Sequence, residues 1–382
     1  MATTAAIPSI RAQARASLRH VRRLATVANA NASSSTASSS SSSASSSASS
    51  SAALSSSSGW TPPITPGVEP AYDEALAYIS TQQASLRREI PALEAAISSH
   101  PPGSSERSSA QAKLDAHLVA AEINDPAVRW RFANNVDAPL SSPVFAHLRE
   151  QAWRRGPLER LAARLRDMYV VPDVLLTFTP TVDVQVSFGE GTGFTDVTSK
   201  SGIEDVSGEI IDPGCIIPAA RTFDRPSILA TPFQAEERLY TLALVDADAP
   251  YEAEERIGTY LHWLVSDVAL SSTKNTVEGG SDLVSYIPPH PQKGTKPHRY
   301  ALCLLAQPKG ASISSSSVER RQFSLRDFAA QNNLTVEGAH FWRSKWTEGS
   351  SSTITDVYRQ FLGGEENEPH FIRERLAFKR AA

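Results

Sequence analysis

The sequence has few cysteines and no long apolar run. Cys215 and Cys303 are the only cysteines among 382 residues, which excludes a disulfide framework and a four-cysteine zinc site. A helix that spans a bilayer needs roughly 18–20 apolar residues. No run approaches that length, so we expect no membrane span. The longest apolar runs, 239–245 and 300–306, have the length of strands.

Acidic residues are missing from the start of the chain. The first is Glu69, and five arginines but no lysine precede it, so residues 1–68 carry a charge of +5. The rest of the chain holds 32 basic and 41 acidic residues, a net charge of −9. The part that can fold is therefore acidic, which argues by composition against a basic domain that coats nucleic acid.

Common catalytic motifs are also absent. The sequence contains no H-E-x-x-H, G-x-S-x-G, Walker A or C-x-x-C pattern, and no nucleophile can be identified. We therefore expect that the protein is not an enzyme and that it holds neither a metal nor a cofactor.

Residues 1–30 are rich in arginine, alanine, serine and threonine. Wound as a helix, they place Ile10, Ala14, Leu18 and Val21 on one side and most of the arginines on the other. Such an amphipathic cation is attracted to anionic membranes and to an inside-negative potential. The composition is typical of an organellar presequence, and we predict a mitochondrial presequence over 1–30. The alternative is a basic tail without a targeting role.

The segment that follows consists mostly of serine. Between Ser33 and Ser58, 19 of 26 residues are serine. Because these small polar side chains bury almost no apolar surface, nothing offsets the entropy cost of ordering them. We predict a disordered linker over 31–67.

Apolar stripes at helical spacing over 68–170 predict a helical extension. Asp125 and Pro126 combine an N-cap residue with a proline at the first helical position, and Ser142 and Pro143 repeat this signal. Each pair predicts the start of a helix.

Near residue 171 the apolar spacing changes to a period of two, which predicts a β-rich domain over 171–348. Residues 181–188 alternate strictly. One face of this strand should carry Val182, Val184, Val186 and Phe188.

The last part of the chain returns to helical signals. Ser324 and Thr353 are each followed by an aspartate three residues later. This capping spacing predicts two helix starts. We predict a C-terminal helical tail over 349–382.

Polar residues that can carry chemistry occur at the ends of the predicted strands. They are Asp246, Asp248, His262, His298 and Tyr300. Two carboxylates and two histidines are able to bind a metal, or to form an anion pocket when the histidines are protonated. The alternative is that each residue lies in a turn or half-buried strand for its own reasons.

Three longer strings contain these residues. They are LYTLALVDADAP at 239–250, GTYLHWLVSD at 258–267 and YIPPHPQKGTKPHRY at 286–300. In this order and spacing they resemble the phosphatidylethanolamine-binding protein (PEBP) family, over about residues 170–345.

The resemblance to this family implies an α+β fold, in which a large antiparallel sheet packs on a smaller one and helices lie toward the C-terminus. It also implies a small pocket that accepts phosphate-like head groups. Asp246, His262, His298 and Tyr300 match the pocket positions, and Asp248 matches the acid beside them.

The sequence departs from the family pattern around this pocket. Ala247 replaces a turn proline, and Glu252 replaces a basic residue. Where the family has a glycine-rich segment that leads to the pocket, residues 288–290 are Pro-Pro-His. Where it has Gly-Thr-Gly, residues 294–296 are Gly-Thr-Lys, so lysine replaces the second glycine. Proline and histidine add bulk where glycine allows close approach of a ligand. We therefore expect a vestigial pocket, whose residues persist as a buried hydrogen-bond network.

A narrower resemblance includes the helical extension. The strings DPAVRWRF at 125–132, VVPDVL at 170–175 with TVDVQV at 181–186, and GAHFWRSKWTEG at 338–349 resemble the fungal form of the mitochondrial large-subunit ribosomal proteins built on this fold. The resemblance implies a structural constituent of the mitochondrial large ribosomal subunit, located near the central protuberance of that subunit. It also implies a location in the mitochondrial matrix.

The charge of −9 predicts that the main partners are other ribosomal proteins, because a protein that wraps rRNA needs a basic surface. Limited rRNA contacts would come from basic clusters at 149–155, 160–166, 320–321 and 373–380. The alternative for each cluster is a solvated helix face. The alternative function is a soluble mitochondrial binder of phospholipid head groups or a protease inhibitor, as in other members of the family.

Overall fold

The structure is a computed structural model that describes residues 60–176, 180–189, 210–313 and 318–364. The predicted presequence, the serine tract and the basic cluster at 373–380 lie outside the described residues, as does the tail beyond residue 364.

Six helices of eight or more residues lie in the first described part of the chain. They are α1 (Pro70–Arg87), α2 (Ile90–Ser99), α3 (Ser105–Glu122), α4 (Pro126–Ala133), α5 (Pro143–Arg154) and α6 (Pro157–Asp167). Five of the six carry a proline in the first turn. Proline suits this position because its missing N–H has no helical partner there and its φ is already helical.

The predicted helix starts are confirmed in the extension, with one difference in detail. The Asp125 side chain accepts a hydrogen bond of 2.8 Å from the Ala127 N–H and so caps α4. Ser142 precedes α5 as predicted, but its side chain makes no capping hydrogen bond.

Of the two C-terminal helix starts, one is confirmed and one is wrong. The Ser324 hydroxyl accepts from the Asp327 N–H at the start of α7 (Leu325–Gln331). The next helix, α8 (Ser351–Val357), begins before Thr353. Thr347 and Ser350 exchange capping hydrogen bonds one turn earlier. This reciprocal cap, rather than Thr353, begins the helical segment.

Within the described residues, seven strands form two antiparallel sheets. They are β1 (Val182–Ser187), β2 (Ser227–Pro232), β3 (Arg238–Tyr251), β4 (Arg256–Leu270), β5 (Ser281–Val284), β6 (His298–Ala306) and β7 (Thr335–Ser344). The small sheet pairs β1 with β2, and the large sheet has the order β5-β4-β3-β6-β7. The predicted α+β architecture, with a large sheet packed on a smaller one, is confirmed.

The large sheet is buried on both faces. Along β3, Leu242 and Leu244 face the core shared with the small sheet, whereas Ala243 and Val245 face the core on the other side. The predicted apolar face of β1 is confirmed. All four of its residues belong to the core between the sheets: Val182, Val184, Val186 and Phe188.

Helices cover the second face of the large sheet. Leu161 and Leu165 of α6 belong to the same core cluster as Cys303 of β6, and Phe328 of α7 belongs to it too. The core is therefore continuous between the end of the helical extension and the β domain. The division of the chain at residue 170 stays a prediction.

The first three helices form a thinner layer. No residue of α1 is buried, and α2 and α3 together bury only Ile97, Leu114 and Ala121. Polar contacts help to join α1 to α3, among them the 2.9 Å contact of His117 Nε2 with the Leu86 carbonyl. In the described parts of the chain, no helix combines the length and apolar character needed to cross a membrane.

We predict that the Leu165→Ala variant loses about 2–5 kcal/mol of unfolding free energy, because it leaves a cavity in the shared core. Leu165 is 2% exposed. The matched control is Leu176→Ala, whose side chain is 58% exposed and whose loss should stay below about 0.5 kcal/mol. Urea unfolding measures both. Equal losses, or a separate unfolding transition for the extension, would contradict a shared core.

Candidate functional site

The structure brings four of the five predicted site residues together at one end of the large sheet. Asp246 lies on β3, His262 on β4, and His298 and Tyr300 on β6. The strand register places Asp246 directly opposite Tyr300. All four side chains are buried, with at most 3% exposure.

Asp246 and His298 form a buried pair. His298 Nδ1 lies 2.7 Å from Asp246 Oδ2, and because a carboxylate only accepts, the ring donates this hydrogen bond. The other carboxylate oxygen, Oδ1, accepts 2.8 Å from the backbone N–H of Asp248. On the far side of the ring, His298 Nε2 lies 2.8 Å from Thr295 Oγ1. Both side chains of the pair thus have hydrogen-bond partners within the protein.

His262 is held as a neutral ring. Its Nδ1 donates to the carbonyl of Ile287 at 2.7 Å. Burial is the largest cause that lowers the pKa of His262 well below its usual value, and His290 lowers it further. A neutral imidazole adds no positive charge for an anion at this position.

Tyr300 contributes a buried phenol. Burial raises the pKa of Tyr300 well above its usual value, and the nearby charge of Asp246 adds to the effect. Its hydroxyl has no well-formed hydrogen bond with a described residue. Its ring stacks on Trp342, with centroids 6.1 Å apart. A phenol with this pKa stays protonated at neutral pH and is a poor nucleophile.

A fifth residue, not assigned to the site from sequence, lies among these side chains. The half-buried imidazole of His290 has its centroid 5.0 Å from that of His262 and 5.6 Å from that of Tyr260. Its Nδ1 donates to the carbonyl of Pro288 at 2.8 Å. Burial lowers the pKa of His290. The departure Pro-Pro-His therefore puts an aromatic ring against the network.

The C-terminal helical segment covers His290 from the other side. A π-helical turn, Tyr358–Leu362, continues α8. The ring of Tyr358 lies 5.3 Å from that of His290 at an edge-to-face angle, and Tyr358 is buried. No local sequence signal connects these two residues, which are 68 positions apart.

Asp248 has a different role from Asp246. It forms a bidentate pair with Arg299, whose Nε and Nη2 each lie 2.8 Å from a carboxylate oxygen. Arg299 Nη1 donates to Asp173 at 2.8 Å and to the carbonyl of Met168 at 2.9 Å. Burial acts to lower the pKa of Arg299, but the hydrogen bonds and charges of Asp248 and then Asp173 outweigh it and raise that pKa. This arginine joins β3 to the end of the helical extension.

Arg320 binds backbone carbonyls next to the site. Its Nη1 donates to the carbonyls of Leu261 and His262, and its Nη2 donates to the carbonyl of Ser285 at 2.7 Å. The basic cluster predicted at 320–321 thus uses one of its two arginines inside the protein. Among the described residues, no three histidine, cysteine or acidic side chains are grouped so as to hold a metal ion.

A family model supports the resemblance carried by these residues. Residues 207–350 match the model of the phosphatidylethanolamine-binding protein family. We refer to this matched range as the PEBP domain. Four of its buried side chains, Asp246, His262, His298 and Tyr300, form the network described above.

Two relatives differ in how much of the chain they match. The large ribosomal subunit protein mL38 of Schizosaccharomyces pombe is 28% identical over 240 residues, which cover 62% of this chain and 73% of that protein. Protein SELF-PRUNING of Solanum lycopersicum is 35% identical over 95 residues, which cover 25% of this chain and 51% of that protein.

Two solved structures are similar to about half of the chain. A carboxypeptidase Y inhibitor, solved in complex with its cognate proteinase, is 20% identical with a TM-score of 0.38, covering 48% of this chain and 94% of the other. A phosphatidylethanolamine-binding protein of Plasmodium vivax is 21% identical with a TM-score of 0.35, covering 48% and 97%.

The buried histidines make stability depend on pH. Burial lowers the pKa of His262, His290 and His340, the last to about 4, whereas an unfolded histidine has a pKa of about 6.5. Between these values the unfolded chain binds more protons, so the unfolding free energy falls as the pH drops below about 6.5.

We predict that His340→Gln reduces this pH dependence, because glutamine does not titrate and its amide is able to donate to the Ile211 carbonyl as His340 Nε2 does. Between pH 7.5 and 5.0, the loss of unfolding free energy should be smaller than in the wild type by on the order of 2 kcal/mol. Urea unfolding at both pH values measures it. The same loss in both proteins would show that His340 is not held neutral by the fold.

Proposed function

We propose that the protein is a structural constituent of the mitochondrial large ribosomal subunit, near its central protuberance, and that it has no catalytic role. The observation that carries the proposal is the extent of the match to mL38. Its 240 aligned residues exceed the PEBP domain range of 207–350, so the similarity includes part of the chain outside that domain. The match to SELF-PRUNING, over 95 residues, is shorter than the domain range.

The chemistry of the candidate site supports a role without catalysis. Asp246 and His298 satisfy each other, His262 is held neutral, and the Tyr300 hydroxyl stays protonated. A hydroxyl or thiol becomes a good nucleophile when a base lies beside it or when its pKa is lowered. The described cysteines do not meet the second condition, because burial raises the pKa of both thiols, to about 11 for Cys215 and about 12 for Cys303.

The charges favour protein partners over rRNA. The chain after residue 68 carries −9, and several arginines of the predicted basic clusters already contact other groups of the same chain. Arg154 pairs with Glu150 at 2.8 Å, Arg149 lies 3.7 Å from Asp183, and Arg320 binds backbone carbonyls. Exposed arginines on and beside α6 supply the limited rRNA contacts: Arg155, Arg160, Arg164 and Arg166.

The alternative function is a soluble mitochondrial binder of phospholipid head groups or a protease inhibitor. A phosphate-like ligand needs space and donors beside His262. In this chain the ring of His290 lies 5.0 Å from His262 and is backed by Tyr358. This arrangement favours a closed network over an open binding pocket.

We predict that the His290→Gly variant gains binding of phosphoethanolamine, because it removes the ring that lies against His262. Isothermal titration of the wild type should show no saturable binding, whereas the variant should show it. A second substitution, His262→Ala, should abolish the gained binding. Saturable binding by the wild type that is lost in its His262→Ala variant would instead support the head-group binder.

For the ribosomal role, we predict that the tagged full chain cosediments with the mitochondrial large subunit in a sucrose gradient of mitochondrial lysate, and that this survives high salt. Salt weakens contacts to phosphates far more than apolar protein contacts. A variant with Arg155, Arg160, Arg164 and Arg166 all changed to Gln should still cosediment, because protein contacts dominate.

The control is a matrix protein of similar mass, which should stay in the light fractions. A chain found only in the light fractions would refute the proposed function. Loss of cosedimentation in the four-arginine variant alone would show that rRNA contacts, rather than protein contacts, hold it.

A further inference from the structure

A cleft lies where the helical extension meets the loops of the β domain, away from the PEBP network. Its volume is about 410 Å³, which falls within the roughly 300–1,000 Å³ typical of ligand sites. Residues of α3 and α5 form one side, and residues that follow β2 and β4 form the other. We call it the α3–α5 cleft.

The walls of the α3–α5 cleft are mainly apolar. Val119 and Ala120 come from α3, Leu140 precedes α5, and Phe233 follows β2. The ring of Phe233 also packs on that of Trp153, with centroids 5.4 Å apart. Trp153 is buried on α5, so this wall is held in place from behind.

Apart from His147, the ionisable side chains that line the cleft are acidic. Asp115 of α3 and Glu150 of α5 line it, and no lysine or arginine is among its lining residues in the described chain. Asp115 Oδ1 accepts from the Gln111 amide at 2.9 Å. Glu150 Oε1 accepts from Arg154 at 2.8 Å, a pair exposed enough to be worth little.

A further polar group lies in the wall. Ser272 lines the cleft and is 2% exposed, and its hydroxyl forms no hydrogen bond with a described residue. A buried hydroxyl without a partner is a cost to the folded protein. A polar group that enters the cleft and reaches Ser272 would remove this cost.

We propose that the α3–α5 cleft binds an extended basic segment of another protein, with one arginine or lysine side chain inserted. The aliphatic stem of that side chain packs on Val119, Leu140 and Phe233, while its cationic end meets Asp115 and Glu150. The same acidic residues repel the phosphates of RNA and of anionic lipids. The proposal is independent of the ribosomal role, since the occupant is defined only by its charge and its fit to the cleft.

The test uses the full chain and a fluorescein-labelled peptide of alternating arginine and alanine, with binding followed by fluorescence anisotropy. We expect saturable binding, reduced about tenfold by Asp115→Asn. Asparagine keeps an oxygen for the Gln111 amide, so this variant should fold. The matched control is Glu106→Gln, which removes the same charge from the first turn of α3 outside the cleft and should change the affinity less than about twofold.

Shape is tested separately from charge. Ala120→Trp fills the cleft and should abolish binding, whereas Ala96→Trp, at an exposed position on α2, should not. Three results would overturn the proposal: no saturable binding by the wild type, equal loss with Asp115→Asn and Glu106→Gln, or equal affinity for a peptide with glutamine in place of arginine. The last result would mean an uncharged occupant.

Discussion

The structure depends on the burial of both faces of the large sheet. Along β3 and β6 successive side chains point to opposite faces, and in this chain both sets are apolar, as Leu244 and Val245 illustrate. Each face therefore needs a cover. The small sheet covers one face, and α6 with α7 covers the other. For this reason the end of the helical extension is part of the core rather than an appendage to it.

The same strands explain why two acids only two residues apart act differently. Asp246 continues the row of Leu242 and Leu244 into the end of the buried face, where a carboxylate must be paired, and His298 of the neighbouring strand supplies the partner. The pairing of β3 with β4 is irregular between Asp246 and Ala249. Within this irregular stretch Asp248 pairs with Arg299, which also donates to the Met168 carbonyl and so reaches the helical extension. One acid holds the network together, and the other joins the two parts of the chain.

Local signals predicted much of this fold. Strict alternation predicted the buried face of β1, and the Asp125–Pro126 pair predicted the start of α4. Motifs within short strings identified Asp246, His262 and His298 as candidate site residues.

The contact of His290 with Tyr358 was beyond sequence analysis, because it joins segments that only tertiary packing brings together. Arg320 was misjudged in part for the same reason, since a charge run does not reveal which guanidinium groups bind buried carbonyls. The predicted start of α8 at Thr353 was wrong because a second capping residue, Thr347, lies six residues earlier. Which of the two caps the helix depends on the hydrogen bonds between the capping residue and the first turn, and Thr347 and Ser350 form these bonds.

The candidate site also contributes to the stability of the fold independently of any ligand. The Asp246–His298 pair is buried, and the removal of one partner leaves the other uncompensated, which typically costs 3–5 kcal/mol when a charge is involved. Replacing both together with apolar residues of similar volume costs little, but it requires simultaneous changes on β3 and β6. The loss of Asp246 or His298 alone is therefore expected to destabilise the folded chain whether or not a ligand binds beside them. The presence of these side chains is consequently weak support for head-group binding, and the surroundings of His262 carry more weight than its identity.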